Sequence, residues 1–266
     1  MKYSFVVIVL MLACTIAYSQ NGNGQHFISQ KAYVVAMNKK VKQMQDAWQL
    51  KYGIDVHFDG DKSIPYEVQP GLAEKGVTGE PLTYEEIFQI APVIDAFLQQ
   101  YPEKFIKENL KHIYLLYELR NRSAFRAGDS LNGLYHHYSP RRIYVALWNN
   151  SSRDEQYRSL HHEFSHLLMR TYQSQFPKEE WIRLNDDLPY IGTQAHQNPE
   201  ERSVELLQSG FVRRYSMHSL DEDFATLVEE YFGDPQAMAK GCRQFPTLNK
   251  KTILFEDFYE SIGARE

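Results

Sequence analysis

Two periods organise the apolar positions of this chain. Val34, Val35, Met37, Val41, Met44 and Trp48 recur at roughly helical spacing, which predicts a helix over about residues 27–51. Residues 53–58 then alternate as a short strand, with His57 an ordinary strand residue. Residues 63–81 are punctuated by Pro65, Pro70, Gly71, Gly76, Gly79 and Pro81, a loop suited to a lid or a seam. Thr83-Tyr84-Glu85-Glu86 is a capping box, in which hydroxyl and glutamate each cover a free backbone N–H. It opens a helix through Ile87, Ile90, Val93, Ile94 and Phe97, and Pro102 fits the first turn of the next. Residues 112–117 and 143–148 are β-rich, with a weaker run over 134–138, and predict a small mixed or antiparallel sheet.

A second capping box, Ser152-Arg153-Asp154-Glu155, opens the helix on which the rest depends. Leu160, Phe164, Leu167, Leu168 and Thr171 form its apolar face. An irregular stretch follows, marked by Pro177, Pro189, Gly192 and Pro199, with Trp181 and Tyr190 as packing anchors. Helices are expected over about 200–207, over 220–232 up to Gly233-Asp234-Pro235, and over 248–262; residues 210–219 read as a loop. The class is α+β, a single domain over 20–266 with an N-terminal part over about 27–140 and a core over about 141–235.

The helix from Ser152 carries His162-Glu163-Phe164-Ser165-His166. Four residues make slightly more than one turn, so both histidines leave one face, away from the apolar one, and can grip a single Zn²⁺. Glu163, one step round, is aimed at the water activated there. His161 points elsewhere and reads as structural. His136 and His137 read as strand or turn residues.

A catalytic zinc takes three protein ligands. A third histidine at the spacing H-E-x-x-H-x-x-G-x-x-H is excluded, because those positions hold Met169 and Tyr172. A later carboxylate is left. Glu222 heads Ser219-Leu220-Asp221-Glu222-Asp223-Phe224-Ala225 but also completes a capping box with Ser219, and Glu200, Glu201, Glu205, Glu229 and Glu230 compete with it.

Net charge is -5 and the basic residues are scattered, so no nucleic-acid partner is expected. Lys2 precedes an apolar run from Phe5 to Ala17, too short for a membrane anchor and suited to a signal peptide cleaved after Ala17-Tyr18-Ser19. Met11-Leu12-Ala13-Cys14 offers a second route, a lipid on Cys14, as the one means of membrane attachment. Either way the protein leaves the cytoplasm, to the periplasm, the outer membrane or the medium. Cys242 then has no partner for a disulfide and reads as a small buried hydrophobe.

Gly210-Phe211-Val212, Tyr215 and Glu222-Asp223-Phe224-Ala225, after the two histidines, resemble the zinc-binding metallopeptidases exported as bacterial lipoproteins. More distantly the chain is similar to the gluzincin domains of the lethal-factor and pro-pro-endopeptidase type. The resemblance is good over about 143–232. It implies a zincin-like fold, one catalytic Zn²⁺ on His162, His166 and Glu222, Glu163 as general base, and Tyr215, aided by His218, as hydrogen-bond donor to the transition state. It also implies a monomeric endopeptidase acting on peptide or protein, with the strand over 143–148 as an edge for the substrate chain. That group carries a second acid four residues after the ligand glutamate; here Thr226 stands there, with Asp223 and Glu229 as nearby substitutes. The loss leaves a rival reading, a non-catalytic exported protein that binds peptide or glycan for uptake.

Overall fold

The structure is a computed structural model and describes residues 30–59, 77–117, 119–121, 129–131, 133–135, 141–147, 152–185 and 188–265. The expected signal sequence with Cys14, and His136 and His137, lie outside these. The chain divides into two units, residues 1–43 and 44–266. The described part of the first is the leading half of helix α1 (Gln30–Tyr52), and the second holds everything that follows. No described helix is long and apolar enough to cross a membrane.

Among the described residues there are two small sheets. β1 (Asp55–His57), β3 (His112–Leu116) and β7 (Arg142–Ala146) run parallel, and β6 (Gly133–Tyr135) closes the row antiparallel to β7. β2 (Val77–Gly79), β4 (Leu119–Asn121) and β5 (Asp129–Leu131) form a separate antiparallel sheet, so part of the expected loop before Pro81 is strand. Val56, Ile113 and Ile143 lie in register and fully buried, the alternation of each strand placing them on one face. His57, Tyr114 and Tyr144 stack across the other face, with ring centres 4.4 and 4.7 Å apart.

β7 is not an edge. β3 fills one side of it and β6 the other, so among the described residues the outer strands of this sheet are β1 and β6. Strand order is set by pairing between distant segments, which hydrophobic pattern does not encode.

α2 (Tyr84–Leu98) starts at the Thr83–Glu86 capping box, and α3 (Glu103–Asn109) follows Pro102. Helix α4 (Arg153–Thr171) packs on β7, β6 and α2. Its N-terminus is closed as its sequence requires: Glu155 N–H donates to Ser152 Oγ at 3.2 Å, and Ser152 N–H to Glu155 Oε2 at 2.6 Å. Leu160, Phe164, Leu167 and Leu168 are buried, and Phe164 meets Phe97 and Tyr101 edge-on.

Beyond α4 come α5 (Lys178–Arg183), a 3₁₀ turn (Gly192–Gln197), α6 (Val204–Gln208), a second 3₁₀ turn (Arg214–His218) and α7 (Leu220–Gly233). α6 is shorter than the pattern predicts. α7 ends at the Gly233 stop, but Asp234 and Pro235 then open α8 (Pro235–Gln244), a helix the pattern did not separate. A proline both ends one helix and suits the first turn of another, and here it does the second as well. α9 (Pro246–Ser261) completes the chain. Cys242 is half-buried rather than buried, with Sγ 3.3 Å from Thr252 Oγ1.

Candidate metal centre

α4 and α7 lie against each other, and their facing sides bring the candidate ligands together. His162 and His166 come from α4 one turn apart, with Nε2 atoms 3.2 Å from each other. Glu222, in the first turn of α7, places Oε2 3.1 Å from Nε2 of His162 and 3.6 Å from Nε2 of His166. Among the described residues this is the group of three whose ligand atoms fall within 4.8 Å and could hold a metal ion.

The donor set fits zinc. Tetrahedral bonds of about 2.0–2.2 Å hold ligand atoms about 3.3–3.5 Å apart, close to the spacing found. Glu222 Oε2 is buried and completes no hydrogen bond among the described residues. A carboxylate oxygen and two imidazole nitrogens converging on one point, with that oxygen unsatisfied, is what a cation would resolve. Ser219 caps α7 as well, its Oγ accepting from Glu222 N–H at 3.2 Å. Capping here uses the backbone of Glu222; the side-chain half of the expected capping box is not formed, which leaves the carboxylate available to the histidines.

The same His162 ring is held from behind. Its Nδ1 donates to Glu229 Oε2 at 3.1 Å, which leaves Nε2 turned toward Glu222 and His166. Glu229 thus sits where an acid at position 226 was expected to act. Seven residues along an α-helix return to within about 20° of the starting direction, and four to within about 40°. Asp223, a single step from Glu222, points away from the histidines and into the core. Thr226 Oγ1 instead lies 2.8 Å from Glu222 O and 2.7 Å from Ser216 Oγ, joining α7 to the turn that carries Tyr215.

Charge and burial follow from this arrangement. Burial alone would lower the His162 pKa, but the flanking Glu222 and Glu229 carboxylates overcome it and raise it to about 10. Burial would likewise raise Glu222, yet the two histidines hold it well below the usual carboxylate range. Glu229 is drawn down to about 2 against its burial by His162 and Arg213. Glu163 is 6% exposed, and burial pushes its carboxyl up, opposed by the nearby histidines.

Tyr215 stands across the site, its ring centre 6.4 Å from that of His162. Burial first, then the charges of Glu222 and Glu163, raise its pKa far above that of a free phenol, so the hydroxyl keeps its proton at neutral pH. The His218 ring is 6.0 Å from the Tyr215 ring, and His196, which the sequence did not single out, is 5.0 Å from His218. The stretch that looked irregular holds this turn in place. Tyr215 N–H donates to Pro199 O at 3.0 Å, Arg214 N–H to Glu201 O at 2.8 Å, and Ile191 N–H to Met217 O at 2.7 Å. Leu206, Phe211 and Met217 form a small core under it with Leu188, Tyr190 and Ile191.

Below α7 lies a buried ion pair absent from the sequence reading. Lys251 Nζ donates to Asp223 Oδ2 at 2.7 Å, and the same oxygen accepts from Trp181 Nε1 at 2.8 Å and Tyr190 OH at 3.0 Å. Gly210 makes room for the lysine. Its φ is +78°, and a Cβ there would lie 3.0 Å from Lys251 Cδ. His161 is structural: Nδ1 is 2.8 Å from Tyr101 OH, the ring stacks on Phe232 at 4.0 Å, and burial lowers its pKa well below the usual value.

A helix bearing two histidines and a glutamate, faced by a second glutamate and a half-buried tyrosine, defines a candidate metallohydrolase site on an α+β fold. The family model described as "Putative zinc-binding metallo-peptidase" matches residues 44–244, and the chain belongs to that family. Among solved structures it is similar to the crystal structure of "a putative zinc-binding metallo-peptidase" from Bacteroides caccae, with a TM-score of 0.54 and 17% identity over 84% of this chain and 87% of that one. At that identity the likeness establishes a shared fold. No functionally curated protein matches significantly.

Proposed function

We propose that this protein is a zinc-dependent endopeptidase of gluzincin type that hydrolyses peptide bonds outside the cytoplasm. The observation that carries the reading is the convergence of His162 Nε2, His166 Nε2 and Glu222 Oε2 within 3.1–3.6 Å, with Glu222 Oε2 buried and completing no well-formed hydrogen bond among the described residues. A zinc ion bound by these residues supplies a Lewis acid and water with a pKa of about 7.

The other steps belong to the chain's own groups. Glu163 takes a proton from the attacking water and delivers it to the leaving amine; burial raises its pKa in the direction a general base requires. Tyr215, kept protonated by its surroundings, donates to the oxygen on which negative charge develops. Glu229 orients His162. The outer edge of β6, unpaired among the described residues, is the place for an extended substrate to add as a strand. Export rests on the apolar run 5–17 and on the Ala17-Tyr18-Ser19 and Cys14 alternatives for its processing.

The rival reading of an inactive binding protein drew on Thr226. Glu229 now supplies a carboxylate to His162, which removes that support.

Digestion of a mixed peptide library by the mature protein in excess zinc, wild type against Glu163→Gln, tests the assignment. Cleavage by wild type that disappears in the variant is expected. Equal cleavage by both refutes the role of Glu163, and zinc-loaded wild type that cuts nothing returns the binding-protein reading.

A further inference from the structure

Glu229 is itself held with unusual completeness. Arg213 Nη1 donates to Glu229 Oε1 at 3.0 Å and Nη2 to Oε2 at 2.8 Å, a two-pronged pair on a carboxylate that is 13% exposed. Oε2 therefore receives the Nη2 prong of Arg213 on one side and His162 Nδ1 on the other. Arg213 is no surface cation: it is 7% exposed, and Glu230 Oε1 and Glu200 Oε1 also lie 3.6 Å from its guanidinium. It belongs to neither ligand-bearing helix. It enters from the extended residue before the Arg214–His218 turn, two positions ahead of Tyr215, and its Cζ lies 6.0 Å from the Tyr215 ring centre.

A single-pronged partner would let the Glu229 carboxylate rotate about its last torsion. The planar fork permits one orientation, in which a lone pair of Oε2 meets the Nδ1 proton of His162. We propose that Arg213 is a positioning residue that acts through Glu229, locking the carboxylate that orients His162 and tying the turn of Tyr215 to the ligand set. This rests on the metal-centre reading above. Arrangement of the metal ligand and of the hydrogen-bond donor is then one problem with one strut, because a shift of the turn moves the Arg213–Glu229 pair and, with it, the His162 ring. Lysine could supply the charge at this position but not the two parallel N–H groups.

The test is zinc affinity, measured by competition with a chromophoric chelator on the full mature protein, with the Co²⁺ absorption spectrum as a second readout. Partners of metal-bound histidines typically change affinity by about 10–100-fold when removed. Glu229→Ala is expected within that range, and Arg213→Met and Glu229→Gln at about tenfold. Arg213→Lys should fall between wild type and Arg213→Met, with an altered Co²⁺ spectrum. Because Arg213 acts through Glu229, the Arg213→Met/Glu229→Gln double variant should bind zinc no more weakly than Glu229→Gln alone, within about twofold.

Additive losses in the double variant would overturn the proposal. So would Arg213→Met lowering the melting temperature of the metal-free protein while leaving zinc affinity within about twofold of wild type. Should Arg213→Met not fold, Glu229→Gln and Arg213→Lys decide, and wild-type zinc affinity and Co²⁺ spectra in both overturn it. Wild type that binds no zinc refutes the metal centre and this inference together. Wild type that binds while Glu229→Gln binds equally well refutes this inference alone.

Discussion

Replacing Lys251 by methionine should cost far more stability than the loss of one surface ion pair. Lys251 is 0% exposed and Asp223 1%, with the two charges 2.7 Å apart. Burial raises the Asp223 carboxyl pKa against the pull of Lys251, and lowers the Lys251 ammonium against the pull of Asp223, so each charge is maintained by the other. Methionine keeps the apolar stem that fits against Gly210 and removes only the charge. Asp223 Oδ2 retains Trp181 and Tyr190 as donors but has no counter-charge. Breaking a buried pair from one side costs about 3–5 kcal/mol. In a domain of this size that lowers the melting temperature by roughly 6–20 °C.

The companion variant is Asp223→Asn/Lys251→Met. It leaves an amide oxygen for Trp181 and Tyr190 and no buried charge, and it should recover to within about 1 kcal/mol of wild type. Urea unfolding of metal-free protein at neutral pH gives the three free energies. The sign of the pH dependence is also set. In Lys251→Met the folded-state pKa of Asp223 lies further above its unfolded value, so the folded state binds the extra proton between the two. The penalty is therefore full above the folded pKa and vanishes below the unfolded one, and the deficit against wild type should shrink on acidification. A Lys251→Met protein within about 1 kcal/mol of wild type, or a double variant no more stable than the single, would refute the reasoning.

Tyr215→Phe should lower kcat by about 10²–10³ with little change in KM, the cost of one transition-state donor; an unchanged kcat excludes the role. In the metal-free protein His162 has a pKa of about 10, so zinc binding at pH 8 must expel a proton and affinity should fall as pH is lowered. Calorimetry at pH 8 in buffers of different ionisation enthalpy would show about two protons released per zinc, one from His162 and most of one from a zinc-bound water of pKa about 7, and a release of about one or fewer would contradict the raised His162. Gly210→Ala should destabilise by at least about 1–2 kcal/mol, since φ is +78° there and the new methyl meets the Lys251 stem; an unfolding midpoint equal to wild type would be inconsistent with that contact.

What the sequence alone determined is local. The helix with His162, Glu163 and His166 was legible because its capping box, its apolar period and the spacing of its two histidines all fall within a turn or two of the backbone. The start of α7 at Ser219 and the packing of Trp181 and Tyr190 belong to the same class. Glu229 was legible in principle: seven residues beyond Glu222 is the same helix face, a spacing as informative as the four-residue one that leads to Thr226.

Only the tertiary structure decided which groups meet across elements. That β7 is enclosed by β3 and β6 depends on pairing between segments far apart in the chain. Arg213 could be joined to Glu229, and Lys251 to Asp223, only once their elements had packed, because an ion pair between distant residues leaves no period in the sequence. A pattern of residues reports the direction of a side chain from its own helix or strand. The atom it meets there is supplied by another part of the chain, and that choice is made by the fold.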